Sequence, residues 1–141
     1  MEVRPSLDAT ELQAALGLRE RVFCGEQGVS HDAERDGRDR EALHLVAVED
    51  GRVVGTCRLL FTGRVALLGR LAVESELRRR GIGAALLSEA ARYARRHGAA
   101  RISLHAQLDA RDLYAGAGYS ELGAPFVEEG IDHVTMEKAL A

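Results

Sequence analysis

Two periods run through the pattern of apolar and polar positions in this chain, one of strands and one of helices. Residues 2–5 fit a short first strand that Pro5 ends. Asp8 and Glu11 stand at the spacing of a capping pair ahead of Leu12, Ala15, Leu16, Val22 and Phe23, which predicts a helix over 9–23. Residues 24–42 have no apolar period and are heavily charged, so they predict a long loop with room for one helical turn. Leu43–Val48 and Arg52–Leu60 read as strands joined through Asp50-Gly51, a strong hairpin signal. Thr62-Gly63 turns the chain into a third strand, Val65–Val73. The period then lengthens. Ile82, Leu86, Ala90 and Tyr93 line one face of a helix, Glu89, Arg92, Arg95 and Arg96 fall on its wet side, and His97-Gly98 stops it. Arg101–Gln107 is the next strand. Leu108–Ala115 is a short helix ended by Gly116-Ala117-Gly118, and Tyr119–Phe126 with His133–Lys138 form a final antiparallel pair. This order predicts a mixed, mostly antiparallel α/β sheet flanked by helices.

Composition narrows the partners more than the fold. A length of 141 residues suits one domain spanning 1–141, and 46% apolar with 29% charged residues is ordinary for a soluble globular chain. A formal net charge of −3 argues against nucleic acid as a partner, so the arginines at 78–80 are a local device. Cys24 and Cys57 are too few for a disulfide framework or a metal site. They read as reduced, small, buried side chains and suit a cytoplasmic location. Met1 to Pro5 lacks the pattern of a signal peptide, and no apolar run has the length of a membrane span.

The candidate chemistry sits where the third strand passes into the long helix, at Arg78-Arg79-Arg80-Gly81-Ile82-Gly83-Ala84. Such a turn points backbone amides and a helix dipole at one spot, glycines admit a ligand to the backbone, and arginines add fixed positive charge. The combination reads as a pyrophosphate cradle. A dinucleotide fingerprint needs a third glycine where Leu86 stands and an acid near residue 101, and a Walker loop needs Gly-Lys-Ser/Thr; the sequence has none of these.

Arg-x-x-Gly-x-Gly in this setting resembles the coenzyme A signature of the GNAT family of N-acetyltransferases, and the likeness covers nearly the whole chain. Arg70-Leu71-Ala72-Val73 is similar to the family's fourth strand, and Leu113-Tyr114-Ala115-Gly116-Ala117-Gly118-Tyr119 to its short tyrosine-bearing helix. Arg21-Val22-Phe23 with Glu26-Gln27-Gly28-Val29, and Pro125-Phe126 with Glu129 to Met136, resemble a small bacterial subgroup, largely of unassigned substrate. The resemblance implies the GNAT acyl-CoA N-acyltransferase fold and direct transfer of an acetyl group from acetyl-CoA to a primary amine, with no metal. It implies that the backbone of Leu71, Ala72 and Val73 holds the pantetheine arm in a slot beside a splayed strand. Residues Arg78, Arg79, Arg80, Gly81, Ile82, Gly83 and Ala84 would hold the pyrophosphate, and Tyr114 would be the acid for the departing thiolate.

The base is less determined. Some relatives carry a glutamate where Gly69 stands. His133 and then Glu26 are the first candidates, followed by His44 and His105, with a relay of waters as the alternative. Glu128, Glu129 and Asp132 form either an ordinary wet hairpin or a lure for a cationic amine. A non-catalytic acyl-CoA binding module or sensor is the rival function. An exposed edge strand allows a homodimer.

Overall fold

The structure, a computed structural model, describes residues 1–140. Strand β1 (Glu2–Pro5) leads into α1 (Ala9–Arg19). Asp8 caps that helix, its carboxylate accepting from the Glu11 amide at 2.9 Å. Glu11 does not complete the reciprocal bond to the Asp8 amide. Its carboxylate accepts instead from the Leu7 amide and from both terminal nitrogens of Arg4, at 2.7 and 2.8 Å. The predicted helix over 9–23 is α-helical only as far as Arg19. From Glu20 to Glu26 the turns widen to π geometry, and the Gln27 amide reaches back to Val22 O at 3.1 Å. Widened turns of this kind cluster at functional sites. The predicted loop over 24–42 contains one helical turn, α2 (His31–Glu34), capped by Ser30 Oγ, which accepts from the Ala33 amide at 3.1 Å.

The Asp50-Gly51 turn has φ of +52° and +75°, the mirror-image turn whose twist matches the strands it joins. It sets β2 (Leu43–Glu49) against β3 (Arg52–Thr62), and the next turn brings in β4 (Val65–Val73). Helix α3 (Ile82–Arg96) follows and stops at Gly98, φ +85°. Then come β5 (Arg101–Gln107), α4 (Arg111–Gly116), β6 (Ser120–Glu128) and β7 (Ile131–Ala139). The sheet order is β1-β2-β3-β4-β5-β7-β6. Every neighbouring pair is antiparallel except β4 with β5. This is the mixed, mostly antiparallel sheet that the pattern predicts.

Alternation along β2 places the two long helices on opposite faces. Leu45 and Ala47 join the main core with Ile82, Leu86, Ala90 and Ala94 of α3, whereas Val46 and Val48 pack with Ala15 of α1. Gly55 of β3 governs how closely α3 lies on the sheet. A Cβ there would stand 2.9 Å from Ile82 Cγ2 and 3.0 Å from Leu86 Cδ1. Gly55→Ala is expected to lower stability by about 1–3 kcal/mol, the usual cost of overpacking. Urea denaturation checks this, and an unchanged midpoint would mean that the first turn of α3 yields freely. Among the described residues no helix is long and apolar enough to cross a membrane.

Candidate active site

Strands β4 and β5 start as neighbours and then part. Their parallel pairing covers Val65–Arg101, Ala66–Ile102 and Leu67–Ser103 only, while β4 runs on to Val73 and β5 to Gln107. Backbone groups beyond Leu67 on one side and Ser103 on the other face a slot in place of a partner strand. A bulge sits on the β4 lip. Thr56 pairs with Ala72 and Arg58 with Gly69, so Cys57 alone faces Arg70 and Leu71. Arg70 has φ of +54°, a left-handed conformation that costs a non-glycine residue about 1–3 kcal/mol. Bulges of this kind re-aim a strand beside an active site. The slot opens into a cleft of about 930 Å³. Leu71–Val73, Arg78, Arg79, Gly81–Ala84 and Tyr114 line it, as do Phe23, Gly69, Arg70, His105, Gln107, Glu129 and His133.

The Arg/Gly turn forms one stretch of this lining. Arg79 and Gly81 both have positive φ, +64° and +83°, alternating with Arg80, and such a run makes a concave nest of amides. The first bond of α3 is Ala85 N–H to Gly81 O at 3.0 Å. The amides of Ile82, Gly83 and Ala84 therefore have no acceptor within the helix. Arg79 and Arg80 are exposed, and nothing lies within 4 Å of where a Gly81 Cβ would project. A Gly83 Cβ would touch Leu113 of α4 at 3.4 Å, so that glycine also seats the tyrosine helix. Arg78 points elsewhere. Its Nε donates to Val73 O at 3.1 Å and its terminal nitrogens hold Glu26 at 2.9 and 2.8 Å.

That pairing occupies Glu26, one of the four base candidates. The Arg78 hydrogen bonds hold the Glu26 carboxyl below its ordinary pKa, which disfavours proton uptake, and Glu26 is not among the residues lining the cleft. Its neighbour Gln27 accepts from Gln107 Nε2 at 2.7 Å, at the end of β5. The last residue of the π segment and the one that follows it thus reach the two lips of the slot. His133 is 7% exposed and lies opposite Gln107 in the sheet. Its Nδ1 is 2.7 Å from Ile131 O. A carbonyl can only accept, so Nδ1 carries the proton and Nε2 of the neutral ring keeps its lone pair. Phe126 stacks on this imidazole with centroids 6.0 Å apart.

Tyr114 is 8% exposed, and burial raises its phenol pKa, with Cys57 adding to the effect. The ring meets Tyr119 edge-on at 6.0 Å, and the Tyr119 hydroxyl is buried without a partner. His105 is exposed and bonds Glu128 at 2.7 Å; His44 is buried, its Nε2 donating to Asp39 O at 2.9 Å.

Glu34, Arg58 and Arg70, which line the cleft, belong to a cluster of buried charge that the sequence reading missed. Arg19 of α1 bonds Glu34 at 2.8 Å and Asp39 at 2.8 Å. Arg58 of β3 bonds Asp39 at 3.1 Å and Asp36 at 2.9 Å. Arg70 of β4 reaches Asp36 at 3.3 Å and Glu34 at 3.2 Å. The six alternate in a closed ring, each arginine between two acids and each acid between two arginines. Arg19, Glu34 and Arg58 are 1%, 2% and 4% exposed. The signal was present in the sequence: each arginine interrupts an apolar pattern that predicts burial.

The GNAT acetyltransferase domain model matches residues 7–140. YyaT of Bacillus subtilis, itself uncharacterized, is 30% identical over 100% of this chain and 97% of its own length. Among solved structures, a Lactobacillus plantarum protein superposes with a TM-score of 0.91 at 29% identity, over 99% of this chain and 98% of the other. An acyl-CoA N-acyltransferase from Pseudomonas aeruginosa follows with a TM-score of 0.85 at 29% identity, over 98% of both chains. The match over residues 7–140 takes in both long helices and every strand of the sheet except β1, and the chain belongs to the GNAT acetyltransferase family of acyltransferases.

Proposed function

We propose that this protein transfers an acetyl group from acetyl-CoA to a primary amine, with Tyr114 as acid and His133 as base. The observation that carries the reading is the slot between β4 and β5, which opens at one end on the Arg/Gly turn and borders Tyr114. The residues present fit the nucleotide: Ile82–Ala84 offer amides without helical acceptors, and Arg79 and Arg80 are exposed beside them. Arg78, tied to Val73 O and Glu26, contributes by holding the turn in place. Beyond the Leu67–Ser103 pair β4 has no partner on its β5 side, which supports the reading that the backbone over Leu71–Val73 bonds an extended pantetheine arm as a missing strand would.

Acetyl-CoA supplies an activated acetyl thioester. Against it the chain has three tasks. His133 Nε2 accepts the proton that an ammonium must lose before nitrogen can attack. The β4 lip orients the acyl group, and orientation of bound reactants alone can supply several kcal/mol of the barrier. Tyr114 presents a hydroxyl proton to sulfur as the C–S bond breaks and the C–N bond forms, and the second proton leaving nitrogen balances the one given. Because burial raises its pKa, Tyr114 keeps that proton throughout the neutral range.

Calorimetric titration with acetyl-CoA is the direct test. One-to-one binding in about the micromolar range, near −8 kcal/mol, is the expected outcome. No heat at millimolar ligand would overturn the reading.

A further inference from the structure

We infer that Arg70 is a positioning residue, whose guanidinium, locked into the ring of buried charge and onto the end of α2, sets the bulge that aims the Leu71–Val73 backbone into the slot. This rests on the acetyl-CoA reading for its consequence, though not for its geometry. The bulge departs from regular strand geometry at Arg70, where φ is +54°. A conformation of that kind persists only where its surroundings over-determine it. Here they do so through one side chain. Arg70 Nη2 donates to Ala33 O at 3.0 Å and Glu34 O at 3.1 Å, and Nε donates to Glu34 O at 3.2 Å. The same guanidinium meets the carboxylates of Glu34 and Asp36.

The anchor itself is held. Glu34 and Asp36 are fixed from the far side by Arg19 and Arg58, and Arg58 is the register partner of Gly69, next to the bulge on β3. Three arginines facing three carboxylates leave no net charge, so the ring contributes geometry to the cleft more than it contributes field. It links α1, α2, β3 and β4, and Arg70 is the member whose backbone enters the slot.

The test compares the wild type with Arg70→Gln and Arg70→Gly for binding of acetyl-CoA and of the nucleotide–pyrophosphate half of coenzyme A without pantetheine. Amide shifts of Leu71, Ala72 and Val73 are recorded in the free proteins. Glutamine is too short to reach α2. Glycine adopts positive φ freely but has no guanidinium. Both variants are expected to bind acetyl-CoA about tenfold more weakly, as for loss of one or two oriented bonds, to bind the nucleotide half as the wild type does, and to shift the three amides. Equal weakening of both ligands would mean a general loss of structure and overturn the inference. So would wild-type affinity and unmoved amides in both variants, or recovery in Arg70→Gly alone, which would make backbone strain the cause and not the side chain. A wild type that binds neither ligand sinks the acetyl-CoA reading. In that case the amide shifts alone decide the role of Arg70 in the bulge.

Discussion

Tyr114→Phe is expected to lower turnover about a hundredfold or more, the usual worth of a positioned proton donor, while acetyl-CoA affinity stays within about twofold. The substitution removes one oxygen and leaves the ring. Packing against Tyr119 and the main core therefore survives, and the loss falls on the step that needs a proton at sulfur. An interaction made only in the transition state lowers kcat and kcat/KM together. Thiol release, followed with any primary amine that supports turnover, gives both constants. Turnover within about threefold of wild type would remove Tyr114 from the chemistry. A phenol raised by burial does not titrate near neutrality, so the pH profile of kcat/KM around neutrality should keep its shape in Tyr114→Phe.

Glu34→Ala is expected to be the most damaging single change to stability, costing about 3–5 kcal/mol. Total stability of such a domain is only about 5–15 kcal/mol. The methyl group that replaces the carboxylate leaves Arg19 buried with one of its two partners gone. It also opens the ring beside Arg70. Urea denaturation monitored by circular dichroism measures the loss, and a shift worth less than about 1 kcal/mol would put the ring on a par with surface ion pairs. The ring also predicts a direction with pH. Hydrogen bonds from Arg58 hold the Asp36 carboxyl well below the usual carboxylate range. Burial opposes the same effect at Asp39, where bonds from Arg19 and Arg58 prevail. Both folded pKa values are depressed, so this stabilisation is complete above about pH 3.9, the unfolded value for aspartate, and is lost as pH falls below it. Wild-type denaturation midpoints should fall steeply over that acid range.

Most strands and the long helix are legible because each is decided by its own pattern. Ile82, Leu86 and Ala90 mark one face of α3, and Asp50-Gly51 can hardly be anything but a hairpin turn. The cradle is legible for the same reason, since its glycines and arginines are neighbours in sequence. The segment over 24–42 is not, because its order comes from residues far away. High charge there reads as solvation, whereas Glu34, Asp36 and Asp39 meet arginines of α1, β3 and β4. Arg19 gave notice, three residues from Leu16 and from Val22 on the buried stripe of its helix. Ser30, three residues ahead of Ala33, gave notice of α2. Glu26 stands out by its place in a motif, and no motif contains the information that Arg78 lies beside it. Gly55 carries no sequence signal at all; its importance appears only when α3 is laid across it.

Only three residue pairs join β4 to β5, while seven join β5 to β7. Mechanically the sheet is two plates hinged along a short seam, with Glu26–Arg78 and Gln27–Gln107 as a clasp across the open side. Beyond that seam no backbone ladder ties β4 to β5, and the two plates are held by the clasp and by the core that α3 packs across both. The gap in the sheet's backbone bonding thus falls along one line, and it is the line along which a slender, extended ligand would lie.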